Sequence, residues 1–301
     1  MPKVYTPAME RLAKRDKKRP RKSGPWHEAL YRLKRNRAAM VGLFIFAILI
    51  ILALFPSQIA RYGQDEQIYS DAFIFPNAEH PLGTDNYGRD ILSRIIFGTR
   101  TSLMIGIVSV CISLFIGGTV GLIAAYYGGK IENLLMRAMD ILSALPYFLL
   151  AIAIASALGS GMFKLMFAIA ISTVPDYARI TRAAAITIKE QEYIEAARSI
   201  GSSSTRLMLK HMLPNAIAPI IVQSTLGVAK AILAGSALSF IGIGVQPPTA
   251  EWGAMLNAGR QYIRTYPYII TFPGIMIMLT IFSFNLLGDG LRDALDPKLK
   301  K

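Results

Sequence analysis

Long apolar runs recur along this chain and alternate with shorter charged segments. Runs with few or no charges occupy 38–55, 101–129, 141–163, 165–175, 212–250 and 265–288. About 20 mostly apolar residues cross a bilayer as a helix, so most of these runs are long enough. The fourth run reaches that length only if it extends toward Tyr177. The pattern therefore predicts an all-α membrane protein with six spans.

The expected spans divide the chain into four regions. Residues 1–25 are predicted to form a basic cytoplasmic tail, and 26–98 an interfacial helix, the first span and an external segment. The transmembrane domain is expected at 99–290 and a C-terminal cytoplasmic tail at 291–301. The spans predicted within that domain are about 101–127, 137–158, 162–180, 215–240 and 267–288.

Composition and charge agree with a membrane protein. The chain is 53% hydrophobic, its mean hydropathy is +0.40 and 17% of its residues are charged, against about a quarter in soluble domains. If the N-terminus is cytoplasmic and six spans follow, 25 of the 33 lysines and arginines fall on cytoplasmic segments and 7 on external ones. This positive-inside bias predicts that both termini are cytoplasmic. It also explains the net charge of +14 without nucleic acid.

Residues suited to catalysis or metal binding are sparse in the sequence. Cys111 is the single cysteine, and the three histidines, His27, His80 and His211, fall in separate segments. The chain has no G-x-x-x-x-G-K-[ST] motif, and its nearest Gly-Lys pair, in "GGKIEN", lacks the first glycine spacing and the hydroxyl. The sequence therefore predicts no enzyme activity, no metal and no cofactor in this chain.

One charged, amphipathic segment, "EYIEAARSIGSSSTRLMLKHMLPN", interrupts the apolar pattern before the fifth span. Gly201 suits the left-handed residue that ends a helix. Ser203 or Ser204 suits the cap of a following helix, and Pro214 falls at the start of the span. The segment therefore predicts two short cytoplasmic helices joined by a turn.

The first of these short helices is expected to have two distinct sides. Ile194, Ala197 and Ile200 are placed together on one side, while Glu195 and Arg198 can pair on the other. Three roles fit this pattern: a helix lying on the membrane, a helix-turn-helix that reads DNA, and a docking element for a soluble partner. The short tether between two spans makes access to a DNA groove awkward.

The same stretch resembles the EAA loop of permease subunits of ATP-binding cassette (ABC) importers. The family pattern is EAA, three residues, Gly, nine residues, Ile, any residue and Leu-Pro. The matching residues are Glu195, Ala196, Ala197, Gly201, Leu213 and Pro214. His211 stands where the general pattern has Ile.

Three further stretches resemble the dipeptide and oligopeptide branch of that family, the DppC/OppC type. They are "HPLGTDNYGRDILSRIIFGTR", "SFIGIGVQPPTAEWGAML" and "NLLGDGLRDALDPKLKK". Together with the EAA loop, the resemblance extends from about residue 26 to the end of the chain.

The resemblance implies a six-span type I ABC importer permease, with the loop at 191–214 as a coupling helix that docks on an ATPase. Glu195 and Arg198 would form polar contacts that align the helix with the ATPase, and Ala196 and Ala197 would allow a close approach. The implied surroundings are a homologous second permease, one or two ATPase subunits that bind ATP and magnesium, an extracytoplasmic peptide-binding protein and a bacterial or archaeal inner membrane. A nickel-importing permease and an ion-coupled secondary transporter remain as alternatives.

Ionisable residues within the predicted spans need an explanation, because a charge at the centre of a spanning helix costs ~2.5–3.5 kcal/mol on insertion scales. Lys230 lies in the middle of the fifth span. It is interpreted either as part of the translocation path, attracting a peptide carboxylate, or as a contact with the partner permease. Asp140 and Asp176 are expected near span ends, in structural roles. A cytoplasmic clasp is expected from the C-terminal charges Asp289, Arg292, Asp293 and Asp296.

Overall fold

The computed structural model describes residues 25–295, and this part of the chain is helical without a strand. Residues 1–24 and 296–301 lie outside the described residues, and they include most of the two predicted tails and Asp296. The helices are α1 (Pro25–Arg35), α2 (Arg37–Leu54), α3 (Ile91–Tyr127), α4 (Gly129–Ser143), α5 (Tyr147–Leu158), α6 (Met162–Lys189), α7 (Glu192–Ser199), α8 (Ser204–Phe240), α9 (Trp252–Gly259) and α10 (Tyr268–Leu295). Single turns of helix lie at Pro56–Ile59, Tyr69–Asp71 and Arg260–Tyr262.

Four helices of the described range, α2, α3, α8 and α10, are long and apolar enough to cross a membrane. The count rises to five if α4 and α5 form one bent span. The 28-residue helix α6 is not among them, since it carries Lys164, Asp176, Arg179 and Arg182 along its length. The all-helical membrane class is thus confirmed, with four to five apolar spans.

The segment predicted as one span at 137–158 is bent by 82° between α4 and α5. Pro146 stands immediately before α5, and its ring nitrogen has no hydrogen to donate to a preceding carbonyl. Helix α4 therefore ends at Ser143, shortly before the proline.

Helix α3 begins well before the predicted start of the second span at 101. Asp90 caps it by accepting a hydrogen bond of 2.7 Å from the amide of Ser93. Arg94 is included in the helix because its charge is compensated: Asp85 lies 3.9 Å away, and the Gln64 carbonyl accepts from its guanidinium at 2.8 Å.

Small residues hold α3 against α6 along much of their lengths. At Gly117 and Gly121 a Cβ atom would overlap backbone atoms of α6, so a larger residue would push the two helices apart. The hydroxyls of Ser109 and Ser113 donate to α6 carbonyls at 3.0 and 2.9 Å. This is the small-residue contact that membrane helices need, since lipid supplies no hydrophobic drive for their association.

The opposite end of the bundle from α7 is closed by α9. Glu251 is fully buried and caps α9, accepting from the amides of Gly253 and Ala254 at 2.9 and 2.8 Å. Trp252 is also fully buried and donates to the Ile95 carbonyl at 3.2 Å. These contacts join α9 to the first turns of α3.

Candidate functional site

The turn that follows α7 has the geometry that the sequence predicts. Gly201 has a φ of +83°, and no atom lies within 4 Å of where its Cβ would stand. The amides of Gly201 and Ser202 donate to the carbonyls of Arg198 and Ala197 at 3.0 and 3.1 Å. This pair of bonds is a Schellman motif, in which glycine is preferred for its backbone conformation.

The second short helix is continuous with the next long one. Ser203 caps it by accepting from the Arg206 amide at 3.4 Å. A π-helical turn, Leu207–Met212, then leads directly into the main part of α8 at Leu213 and Pro214. The loop 191–214, here called the coupling loop, is therefore joined to α8 without a break.

Helix α7 is fixed to the bundle by one buried isoleucine. Ile194 is only 1% exposed. The α7 cluster, to which it belongs, contains Leu122, Ala125, Ala185, Ile194 and Met212. These residues come from the last turns of α3, the end of α6 and the start of α8, so α7 is in contact with three long helices at once.

Polar contacts strengthen the same junction. Lys189 donates to the Ala125 carbonyl at 3.0 Å, and the hydroxyl of Tyr126 lies 3.0 Å from that of Ser204. The guanidinium of Arg198 is 5.7 Å from the centre of the Tyr126 ring. In the described part of the chain Arg198 forms no ion pair with Glu195, so the pairing that the sequence allows is replaced by a contact with α3.

The outward side of α7 carries exposed apolar residues beside its charged ones. Tyr193 and Ala196 are three residues apart, as neighbours on one helix face are, and Ile200 directly follows the last helical residue, Ser199. Ile200 is 84% exposed and Tyr193 44% exposed. The sequence placed Ile200 on the same side as the buried Ile194, and this expectation is wrong. We call these three residues the docking face.

The remaining residues of the family pattern lie around this face. Glu195 is exposed and Ala197 half-buried. Leu213 packs against the α7 cluster, whereas Pro214 is exposed. The EAA residues therefore divide between a surface open to a partner and a base held by the bundle.

The ionisable residues singled out in the spans lie away from the coupling loop. Lys230 is exposed in the second half of α8. Asp176 is also exposed, and it lies in the middle of α6 rather than near a span end, because α6 continues to Lys189. Asp140 pairs with Arg179 at 3.1 Å.

Of the predicted C-terminal clasp, one contact is seen: the amide of Asn36 donates to Asp293 at 3.4 Å. Across residues 25–295, no three His, Cys, Asp or Glu side chains are grouped so that they could hold a metal ion.

Comparison with known proteins gives two family matches. Residues 117–301 match the model of the binding-protein-dependent transport system inner membrane component. Residues 24–78 match the N-terminal TM domain of oligopeptide transport permease C.

Similar curated proteins cover nearly the whole chain. A dipeptide transport system permease protein DppC of Alkalihalophilus pseudofirmus is 47% identical over 92% of this chain and 91% of its own length. A di/tripeptide transport system permease protein DppC of Pseudomonas aeruginosa is 45% identical over 92% and 93%. A glutathione transport system permease protein GsiD of Escherichia coli is 43% identical over 92% and 91%.

Solved structures share the fold at lower identity. An inward-facing MetNI methionine ABC transporter chain aligns with a TM-score of 0.55 and 16% identity, over 68% of this chain and 98% of its own. A chain of an amino acid ABC transporter aligns with a TM-score of 0.51 and 18% identity, over 67% and 94%. With the first family match spanning more than half of its residues, this chain belongs to the family of binding-protein-dependent transport system inner membrane components.

Proposed function

We propose that this chain is one of two permease subunits of an ABC importer for short peptides, and that a separate ATPase subunit binds its coupling loop. The chain belongs to a family of transport permeases, not of enzymes. The substrate class is supported by the relatives, which are named as permeases for dipeptides, di- and tripeptides and glutathione. These names favour peptides over nickel and an ABC importer over a secondary transporter.

The observation that carries the proposal is the two-sided geometry of α7. Ile194 holds it against α3, α6 and α8, while the docking face leaves Ile200 84% exposed. The exposed Tyr193, Ala196 and Ile200 together form an apolar patch beside charged residues, which suits a surface that a partner covers. A displacement of α7 by the ATPase would reach all three long helices together.

We propose a six-span topology with both termini in the cytoplasm. The spans are α2, α3, the bent pair α4 and α5, α6, α8 and α10. Helix α6 is included although it is charged, because two of its arginines are paired: Arg179 with Asp140 at 3.1 Å, and Arg182 with Glu132. The distribution of lysine and arginine supports this orientation.

The complex we propose contains a homologous second permease, one or two ABC ATPase subunits and an extracytoplasmic binding protein. ATP and magnesium would be bound by the ATPases. The family description and the name of the fold relatives support this assignment. The chain would lie in the inner membrane of a bacterium or archaeon.

The test is ATP-driven uptake of a labelled dipeptide into proteoliposomes that contain the complete complex. We expect uptake to require the ATPases, the binding protein and both permeases, and replacement of Glu195 by Ala to reduce it while the amount of subunit in the membrane stays normal. Vesicles with this chain alone should not accumulate peptide. Accumulation by the chain alone would refute the proposal.

A further inference from the structure

Helices α6, α8 and α10 enclose a groove of about 400 Å³. Its walls include Ile180 of α6, Gln223 and Leu226 of α8, and Arg292 of α10. We call it the α6–α8–α10 groove. It lies in the half of the bundle nearer α7, and its larger neighbour between α3 and α8, about 620 Å³, is lined without a charged side chain.

Asp176 lies on α6, about one turn before the groove-lining residue Ile180. It precedes the lining residue Ile180 by four residues, and residues four apart share a face of a helix. Its side chain is exposed, whereas the next residue, Tyr177, is 2% exposed and packs toward α8. The carboxylate is therefore outside the contact between α6 and α8, on a residue that shares a face of α6 with the groove-lining Ile180.

Lys230 extends the α8 wall in the same direction. It follows Gln223 by seven residues, two turns along one face of α8. It is exposed, although its neighbours Ala229 and Ala231 are buried. Lys230 therefore shares a face of α8 with the groove-lining residue Gln223.

The contact between α6 and α8 places the two charges at similar depth. Tyr177 packs directly on Gly227, where a Cβ atom would overlap the tyrosine hydroxyl. Asp176 is one residue from this contact and Lys230 three, which is about 4.5 Å along α8. Within residues 25–295 neither side chain has an ion-pair partner.

An isolated charge at membrane depth is costly and normally faces a water-filled cavity or a partner. Lys230 is ten residues from the end of α8 at Phe240, about 15 Å, which exceeds the reach of a lysine side chain. The two side chains therefore require an aqueous path, a ligand of complementary charge or a contact with the partner permease.

We infer that the α6–α8–α10 groove is part of the translocation path, and that Lys230 and Asp176 hold the carboxylate and ammonium ends of a zwitterionic peptide in transit. The inference rests on the proposed function and names the substrate contacts within it. A short peptide with free termini carries two opposite charges, which match the two unpaired charges at similar depth on α6 and α8, next to the groove. Arg292 supplies a second cation nearer the α7 end, toward which the carboxylate moves on.

The test uses single cysteines in the complete reconstituted complex, with Cys111→Ser as the background. Lys230→Cys and Asp176→Cys are treated with aminoethyl methanethiosulfonate, which adds a cation, or sulfonatoethyl methanethiosulfonate, which adds an anion. Met278→Cys, at an exposed apolar position of α10, is the control for a lipid-facing side chain. The treated Cys111→Ser complex shows any effect of the reagents on the other subunits.

We expect each cysteine at 176 and 230 to lower dipeptide uptake at least tenfold and to react faster than Cys at 278. The cationic reagent should restore uptake only at position 230, and the anionic reagent only at 176. Binding-protein-stimulated ATP hydrolysis should change little, because these residues are remote from α7. Equal recovery with both reagents, or labelling no faster than at 278, would overturn the inference.

The neutral double variant Asp176→Asn with Lys230→Gln separates substrate binding from a mutual ion pair. If each residue holds one end of the peptide, the losses of the two single variants multiply. If the residues serve only each other, the double variant recovers activity, and the inference fails. Loss of uptake by the unmodified complex would instead refute the proposed function, so the two failures are distinguishable.

Discussion

Replacing Ile200 by Ala should weaken binding of the ATPase without destabilising the permease. The side chain is 84% exposed, so its removal costs the isolated chain almost no buried contact. If the ATPase covers it, the change removes three carbons from a buried interface, at about 0.8 kcal/mol each. The sum, about 2.4 kcal/mol, corresponds to roughly 50-fold weaker association, since 1.4 kcal/mol is tenfold.

The measurement is the dissociation constant of purified ATPase subunits for the permease pair in lipid nanodiscs. Ile263→Ala is the matched control, because Ile263 is 54% exposed but lies beside the first turn of α10, at the end of the bundle remote from α7. We expect the control to bind the ATPase like the unaltered chain. Both variants should keep the thermal unfolding midpoint of the unaltered permease pair.

Two results would refute this reasoning. Binding within twofold of the unaltered chain would mean that the ATPase does not cover the docking face. A lowered unfolding midpoint for Ile200→Ala alone would mean that the side chain packs within the permease pair, so that any loss of binding follows from a changed fold.

Three other predictions follow from the geometry. Gly201→Ala forces a side chain into φ +83°, at a cost of about 1–2 kcal/mol, and should lower uptake several-fold. The control Gly129→Ala, at φ +53° and with equally open surroundings, should not lower uptake. Uptake is normalised to the amount of subunit in the membrane. Ile194→Ala removes the buried contact of α7, which would cost about 2–5 kcal/mol in a core. It should uncouple ATP hydrolysis from uptake, and both rates are measured on the same complex. Burial raises the pKa of Glu251 above its ordinary 4.5, so the folded state binds a proton more tightly than the unfolded state does. Stability should therefore fall as pH rises from 4.5 through the raised pKa. Glu251→Gln should flatten the dependence of the melting temperature on pH.

The local chemistry of the coupling loop could be predicted from sequence because it depends on single residues. Gly201 ends α7 in the left-handed conformation, and Ser203 caps the helix that follows. Each of these preferences acts within a few residues along the chain, and no distant contact competes with it.

The faces of α7 could not be assigned in the same way. The helix is only eight residues long and ends at Ser199. Ile200 therefore lies past its last turn, where helical periodicity no longer fixes the direction of a side chain. Arg198 contacts Tyr126, 72 positions earlier in the chain, and such a pairing depends on how α3 and α7 meet.

Two features of the spans were not predicted from the sequence: the bend between α4 and α5, and the early start of α3. Pro146 was visible in the sequence as a helix breaker, and it marks the bend between α4 and α5. The early start of α3 was hidden, because the apolar run that predicts the span begins only after Arg100 and so leaves out Arg94. Its charge is compensated by Asp85 and Gln64, which lie in the preceding segment and meet it only in the folded chain.

The same two helices connect the coupling loop with the groove. Helix α6 contributes Ala185 to the α7 cluster and carries Asp176, while α8 contributes Met212 to the same cluster and carries Lys230. Both helices are continuous between these points, so a displacement of α7 that changes their mutual angle must also change the separation of the two charges. A peptide held between Asp176 and Lys230 would then lose one of its two contacts as the helices move. If both proposals hold, coupling and release would follow from one rearrangement, because force would be applied and substrate held on the same pair of helices.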